Sequence, residues 1–252
     1  MRRVLVIGIG AGDPDHITVQ AIRALNRTDA LLLVDKGPTG ADLAAVRDEI
    51  LARHLEPGRT PRRVVLTEAT RDRTAADYEA AVDKWRATRL SAYESAIAEL
   101  RPDETAALMI WGDPAIYDGT IALLDDVRAR GTVDFEVEVI PGVSAAAALA
   151  AAHRVPLNRV GESILFTTGR RLARHGLPED VDSAVVFLDG GEAYRDLDGD
   201  VDVWWGAFLG TPDELLVSGP LDERREEIAR VRVEARQRKG WMFDTYLLRR
   251  RR

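Results

Sequence analysis

Apolar residues follow two rhythms along this chain. Val4 to Ile9 and Ala30 to Val34 are short, β-branched or leucine-rich runs closed by turn residues, and each reads as a buried strand. Between them Ile17, Ala21, Ile22 and Leu25 recur at helical spacing with Thr18 near the start, so the chain opens as strand, helix, strand. The pattern continues with a helix over Asp42 to Leu55, a short strand over Arg63 to Leu66, and a long charged helix over Asp77 to Leu100 that stops before Pro102. A strand over Ala106 to Trp111, a helix over Thr120 to Ala129 and a strand over Glu136 to Ile140 follow. The alanine-rich helix from Ser144 to His153 is expected to pack behind that last strand. This alternation predicts a mostly parallel sheet with helices on both faces.

Pro156, Asn158 and Gly161 interrupt the pattern, and a domain boundary is expected there, dividing the chain into 1–157 and 158–252. The second part reads as β-rich, with strands over Ser163 to Thr168, Ala184 to Leu188, Asp202 to Leu209 and Glu214 to Ser218. A charged helix over Glu223 to Gln237 and a strand over Trp241 to Leu248 complete it. The tail Arg249 to Arg252 is expected to be a solvated, frayed end.

Composition narrows the chemistry. The 252 residues suffice for two α/β domains. The absence of cysteine excludes disulfides, thiolate catalysis and Cys-ligated metal. His16, His54, His153 and His175 show no HxH or HExxH spacing, so no metal is implied. The opening MRRVLVIGIGAGDPD has too short an apolar stretch for a signal peptide, and no run approaches the ~20 residues of a membrane span; a soluble, cytoplasmic protein is expected. A net charge of −7 argues against nucleic-acid partners. Nearly all basic residues are arginine, with Lys36, Lys84 and Lys239 as the lysines. That bias has two readings: genome composition, or a surface that pairs bidentately with carboxylates. Arg71, Arg73, Arg170, Arg171 and Arg174 are the candidates for the second.

Three Gly/Pro turns each follow an apolar run: GIGAGDPD at Gly8 to Asp15, WGDPAIYD at Trp111 to Asp118, and IPGVSAAAA at Ile140 to Ala148. All three are expected at carboxyl ends of strands, where open α/β sheets bind ligands, and together they suggest one shared crevice. Each also has a bland explanation. The GDP turn at Gly112 to Pro114 reads equally as an ordinary β-turn, and Ser144 as a helix cap. The first loop also invites a dinucleotide reading, with Asp35 placed like a ribose-binding acid. Against that, its glycines run GxGxG, and Pro14 interrupts the chain before a helix can start.

With these turns on the page, the chain resembles the tetrapyrrole methylases, through GIGAGDPDHIT at Gly8 to Thr18, GDPAIYD at Gly112 to Asp118 and PGVSAAAALAAAHRVPLN at Pro141 to Asn158. Ala11 stands where that family often has proline, and Ala145 where a second serine or threonine is frequent. The resemblance implies two α/β domains with mainly parallel or mixed sheets and a ligand cleft between them. It also implies S-adenosyl-L-methionine as methyl donor, S-adenosylhomocysteine as product, a tetrapyrrole substrate and a homodimer. LLLVDKG at Leu31 to Gly37, the insertion Thr67 to Leu100, WWGAFLGTPDELL at Trp204 to Leu216 and the ending GWMFDTYLLRR are similar to members that methylate a corrin-precursor carbon and remove its acetyl group.

Residue roles carried by the resemblance are expectations. Gly112, Asp113, Pro114, Ser144 and Ala145 would offer backbone groups to the donor, and Ile116 and Tyr117 would pack along it. Leu188 and Ala207 match positions that wall the adenine, or else belong to the core. Gly10, Gly12 and Asp13 would face the macrocycle, with Arg170 and Arg171 toward its carboxylates; Asp13 and Tyr117 are the candidate catalytic groups. Asp13 has a second reading, as cap of the helix beginning near Ile17. Two other functions stay open: a nicotinamide-dependent oxidoreductase and a non-catalytic tetrapyrrole or nucleotide binding module.

Overall fold

The computed structural model describes residues 1–34, 41–66, 78–197 and 199–251. The chain divides into two compact units, Met1–Gly10 with Pro14–Val143, and Ala11–Asp13 with Ser144–Arg252. The expected boundary at 157 and 158 therefore falls inside the second unit.

In the first unit β1 (Arg2–Gly8), β2 (Ala30–Val34), β3 (Arg62–Leu66), β4 (Thr105–Ile110) and β5 (Phe135–Ile140) form a parallel sheet in the order β3-β2-β4-β1-β5. The inner strand β1 explains itself. Val4, Leu5, Val6 and Ile7 have no exposed surface, the continuous apolar run of a strand covered on both faces. Leu5 and Ile7 pack with α1 (Val19–Asn26) and α2 (Ala41–His54), through Ala21, Leu25 and Ile50. Val4 and Val6 pack on the other face with α3 (Tyr78–Ala98) and α4 (Thr120–Ala129), through Tyr93, Ile97, Leu124 and Val127. The chain leaves β1 for β2, beyond β4, and leaves β4 for β5, beyond β1. Loops leaving two neighbouring strands in opposite senses open a crevice at their carboxyl ends.

The second unit holds a mixed sheet in the order β6-β7-β10-β8-β9, from β6 (Ile164–Thr168), β7 (Ser183–Phe187), β8 (Val201–Ala207), β9 (Leu215–Pro220) and β10 (Asp244–Arg250). β6 and β7 run parallel, and β10 runs antiparallel to β7 and β8. One face carries α6 (Gly169–His175) and α7 (Leu221–Lys239) over Val186, Val203, Trp205, Tyr246 and Leu248. No helix among the described residues is long and apolar enough to cross a membrane.

Two expectations are corrected here. The alanine-rich helix α5 (Ala145–His153) packs on β8, β9 and β10 of the second unit, not behind β5. Its small side chains allow a close approach, and Gly206 completes the seat: a Cβ there would lie 2.8 Å from the Leu149 methyl. His153 adds a bond from its Nε2 to the Trp205 carbonyl at 3.0 Å, and burial lowers its pKa, favouring the neutral ring. Arg249 and Arg250 of the arginine-rich ending are not frayed but belong to β10. Arg249 is buried, its guanidinium on the Ser183 hydroxyl (3.1 Å) and the Pro156 carbonyl and over the Trp204 ring. Arg250 donates to the carbonyls of Val181, Leu177 and Pro178. A run of like charges reads as solvated until its acceptors are known, and here they lie about 70 to 90 residues upstream in sequence.

Candidate functional site

The three turns meet within the first unit. Gly10 and Gly112 exchange backbone hydrogen bonds, Gly112 N to Gly10 O at 2.7 Å and Gly10 N to Gly112 O at 3.3 Å. Gly8 and Gly142 press against the same point. A Cβ on Gly8 would lie 2.6 Å from the Gly142 nitrogen and 2.9 Å from the Gly112 carbonyl oxygen, closer than real Cβ contacts come. Three loops thus converge to backbone-on-backbone distance, which only glycine permits. Gly112 has φ +70° and Gly10 φ +86°, so both also need the left-handed region.

Asp113 bolts the convergence. One carboxylate oxygen accepts from Ala115 N at 2.8 Å within its own turn, and the other from Gly142 N at 2.9 Å. Its side chain therefore sets the shape of the turn, while Pro114 is buried and Ile116 half-buried behind it. Asp118 accepts from Thr120 N at 2.8 Å at the start of α4. Between them Tyr117 stands 45% exposed at φ +52°. A left-handed conformation in a non-glycine residue costs about 1 to 3 kcal/mol and marks a place where backbone geometry is imposed.

The first loop settles two alternatives. Thr18, not Asp13, caps α1, its hydroxyl accepting from Ala21 N at 3.1 Å. Asp13 is half-buried between Gly12 (φ +149°) and the 3-10 turn Pro14–His16. That turn separates the last glycine from the helix, so the α1 N-terminus is not presented to a pyrophosphate in the manner of a dinucleotide fold. Asp35, Arg71 and Arg73 lie outside the described residues.

In the second unit Ser144 caps α5, its hydroxyl accepting from Ala147 N at 3.2 Å, and Ala145 opens the helix half-buried. Arg170, Arg171 and Arg174 are exposed on α6, which Thr168 caps. Leu188 and Ala207 separate. Ala207 has no exposed surface and packs in the core, whereas Leu188 is 64% exposed at φ +53°, immediately beyond β7. Leu188 is thus the one of the pair that offers a surface.

A buried polar group behind Leu188 was missed from the sequence. The Asp189 carboxylate accepts from the Tyr246 hydroxyl at 2.7 Å and from Ala193 N at 2.8 Å. The fully buried Arg232 donates to the Asp189 carbonyl at 2.7 Å and pairs with Asp244, which also accepts from Trp205 Nε1 at 2.8 Å. Burial and the adjacent Asp189 push the Tyr246 hydroxyl well above the ordinary phenol pKa. One signal was available: Arg232 falls on the stripe of α7 that carries Ile228 and Ala235, where an arginine is out of place.

Glycine turns massed beyond the carboxyl ends of a parallel sheet with helices on both faces define an α/β protein that binds a small organic ligand there. The chain belongs to the tetrapyrrole (corrin/porphyrin) methylases, whose family model matches residues 3–224. It is 43% identical over 251 residues to precorrin-6A synthase (deacetylating) of Sinorhizobium sp., covering 99% of this chain and 95% of that one. The crystal structure of a cobalamin synthesis related protein (CobF) from Corynebacterium diphtheriae superposes with a TM-score of 0.82 at 36% identity, covering 99% and 98% of the two chains. A uroporphyrin-III C-methyltransferase from Thermus thermophilus, complexed with S-adenyl homocysteine, shares the fold with a TM-score of 0.56 at 20% identity, covering 98% and 91%.

Proposed function

We propose that this protein is an S-adenosyl-L-methionine-dependent C-methyltransferase of corrin biosynthesis, methylating C1 of precorrin-5 with loss of the acetyl group to give precorrin-6A. The observation that carries the reading is the meeting of Gly8, Gly112 and Gly142 at backbone distance, in a chain matching the tetrapyrrole methylases over most of its length. Full-length likeness to the Sinorhizobium sp. synthase supports the specific reaction. The residues suit the donor. Exposed Tyr117 and Leu188, each fixed by a left-handed backbone, offer apolar surfaces for a flat base and a sulfonium, and the glycine turns leave backbone groups free of side-chain bulk.

The donor supplies an activated methyl. The protein's task is then to hold two partners in line, and orientation contributes roughly 7 to 11 kcal/mol in such reactions. In this reading Gly112, Pro114, Ile116, Tyr117, Ser144, Ala145 and Leu188 hold the donor, and Asp113 acts through the turn it bolts. Gly10, Gly12 and Asp13 face the macrocycle, and Arg170 and Arg171 pair with its carboxylates. Asp13 takes a proton from water as the hydroxyl adds to the acetyl carbonyl. The bond from that carbonyl to C1 breaks, acetate leaves, and the electron pair stays on C1 as an enamine of the conjugated ring. C1 then takes the methyl, and the sulfur keeps the electron pair of the broken bond. The reading includes a cytoplasmic homodimer, as the family resemblance implies.

Incubation with precorrin-5 and methyl-labelled donor, followed by mass analysis of macrocycle and acetate, tests it. One labelled methyl gained and one acetate released per macrocycle is the expected result. Donor binding without methyl transfer would favour a binding module, and methylation with the acetyl retained would place the chain elsewhere in the family.

A further inference from the structure

We infer that Arg232, Asp189 and Tyr246 form a buried brace whose role is to position Leu188 as the donor's apolar wall. The inference rests on the proposed function and deepens it. Leu188 and Asp189 are adjacent, yet one is 64% exposed and the other 4%. The chain turns at Leu188 through φ +53° and again at Glu192 through φ +59°, and between these points Asp189 is held from three directions. Tyr246 from β10 and the Ala193 amide take the carboxylate, and Arg232 from α7 takes the carbonyl. Gly169 makes room for it: a Cβ there would fall 2.5 Å from the Asp189 Cβ.

The same guanidinium reaches across the sheet. β7 and β8 flank β10, with Phe187 opposite Thr245 and Ala207 opposite Asp244. By holding the Asp189 carbonyl beyond β7 and the Asp244 carboxylate at the start of β10, Arg232 ties two neighbouring strand ends, and Trp205 of β8 donates to the same Asp244 carboxylate at 2.8 Å. Packing alone does not account for this. A buried ion pair is often no more stabilising than apolar residues of the same volume. A left-handed, exposed leucine is itself a cost. What the arrangement fixes is the direction in which Leu188 projects.

Tyr246→Phe removes one hydroxyl at nearly constant volume, and Arg232→Lys keeps the charge while losing the two-pronged reach. Both are expected to stay folded by circular dichroism, to bind S-adenosylhomocysteine about tenfold more weakly by calorimetry, and to raise the donor KM by about the same factor while kcat stays within about twofold of the parent, since a wall acts on ground and transition states alike. Arg159→Gln, which breaks the ion pair with Asp182 at the opposite end of β7, separates positioning from stability. It should lower the melting temperature while leaving product affinity within about twofold of the parent. Leu188→Asp should weaken binding at least as much as the brace variants. If Leu188→Asp binds like the parent, the placing of the donor against Leu188 fails. If Leu188→Asp loses affinity while folded Tyr246→Phe and Arg232→Lys retain it, the brace is overturned and the site reading stands; should Arg232→Lys not fold, Tyr246→Phe decides.

Discussion

At the scale of single residues, this site is built by the absence of side chains. Gly142 needs no unusual backbone angle, so conformational freedom does not explain it; close approach does. A Cβ added there would lie 2.8 Å from the Gly8 carbonyl carbon and 2.9 Å from its Cα, and these are backbone atoms that cannot swing aside. Gly142→Ala must therefore push the PGV turn away from β1 and stretch the bond from Gly142 N to Asp113. The expected cost is about 1 to 3 kcal/mol in urea unfolding, with a loss of S-adenosylhomocysteine affinity beyond what the stability change predicts. Gly119→Ala is the control. Nothing lies within 4 Å of its Cβ position and its φ is −95°, so it should change neither quantity appreciably. Asp113 works at the same scale and was legible only as part of a motif. The sequence shows a GDP turn; it does not show that one carboxylate oxygen serves its own loop and the other a loop 29 residues away.

At the scale of elements, the first unit was readable because its strands obey one rule. A strand covered on both faces must be apolar throughout, and Val4 to Ile7 and Ala106 to Ile110 announce it. Helix α5 was readable as a helix but not as to its partner, because alanines pack against any close surface and Gly206 gives no sign of waiting for Leu149. The buried ends of β10 and α7 were hidden for a different reason: arginine is scored as surface until its acceptors are found in the fold. Glu104 shows the same effect at the start of β4. Its nearly buried carboxylate accepts from Arg62 at 3.0 and 3.2 Å and from Arg101 N at 2.9 Å. Burial alone raises its pKa, but the Arg101 amide and the Arg62 guanidinium outweigh it and hold the carboxyl below the ordinary 4.5. A depressed folded-state pKa stabilises above the unfolded value, and that stability is lost as pH falls through the folded one. The melting temperature should accordingly drop below about pH 4.5, and Glu104→Gln should start lower at neutral pH yet decline less steeply on the acid side. Parallel acid limbs for parent and variant would assign the acid sensitivity to other carboxylates.

At the scale of the whole molecule, binding and chemistry are separable because the groups assigned to them differ. In the proposed function the donor takes backbone turns and two apolar side chains, Tyr117 and Leu188, whereas the acetyl group needs an acid–base residue, for which Asp13 is proposed. Thr18, not Asp13, is the cap of α1. Any ligand that binds only the folded chain raises its melting temperature, by a free energy of about 2.7 kcal/mol at a hundred times its Kd. S-adenosylhomocysteine should therefore stabilise the parent and Asp13→Asn equally, since that substitution leaves the donor's contacts in place. Turnover should diverge. General acid–base assistance is worth typically 10² to 10⁴ in rate, so Asp13→Asn should release acetate at least about a hundredfold more slowly. Methyl transfer should fall by the same factor, because C1 becomes nucleophilic only when the acetyl carbon leaves. Equal acetate rates from parent and variant would remove Asp13 from the reaction, and a slowed acetate release with undiminished methylation would break the coupling between the two steps.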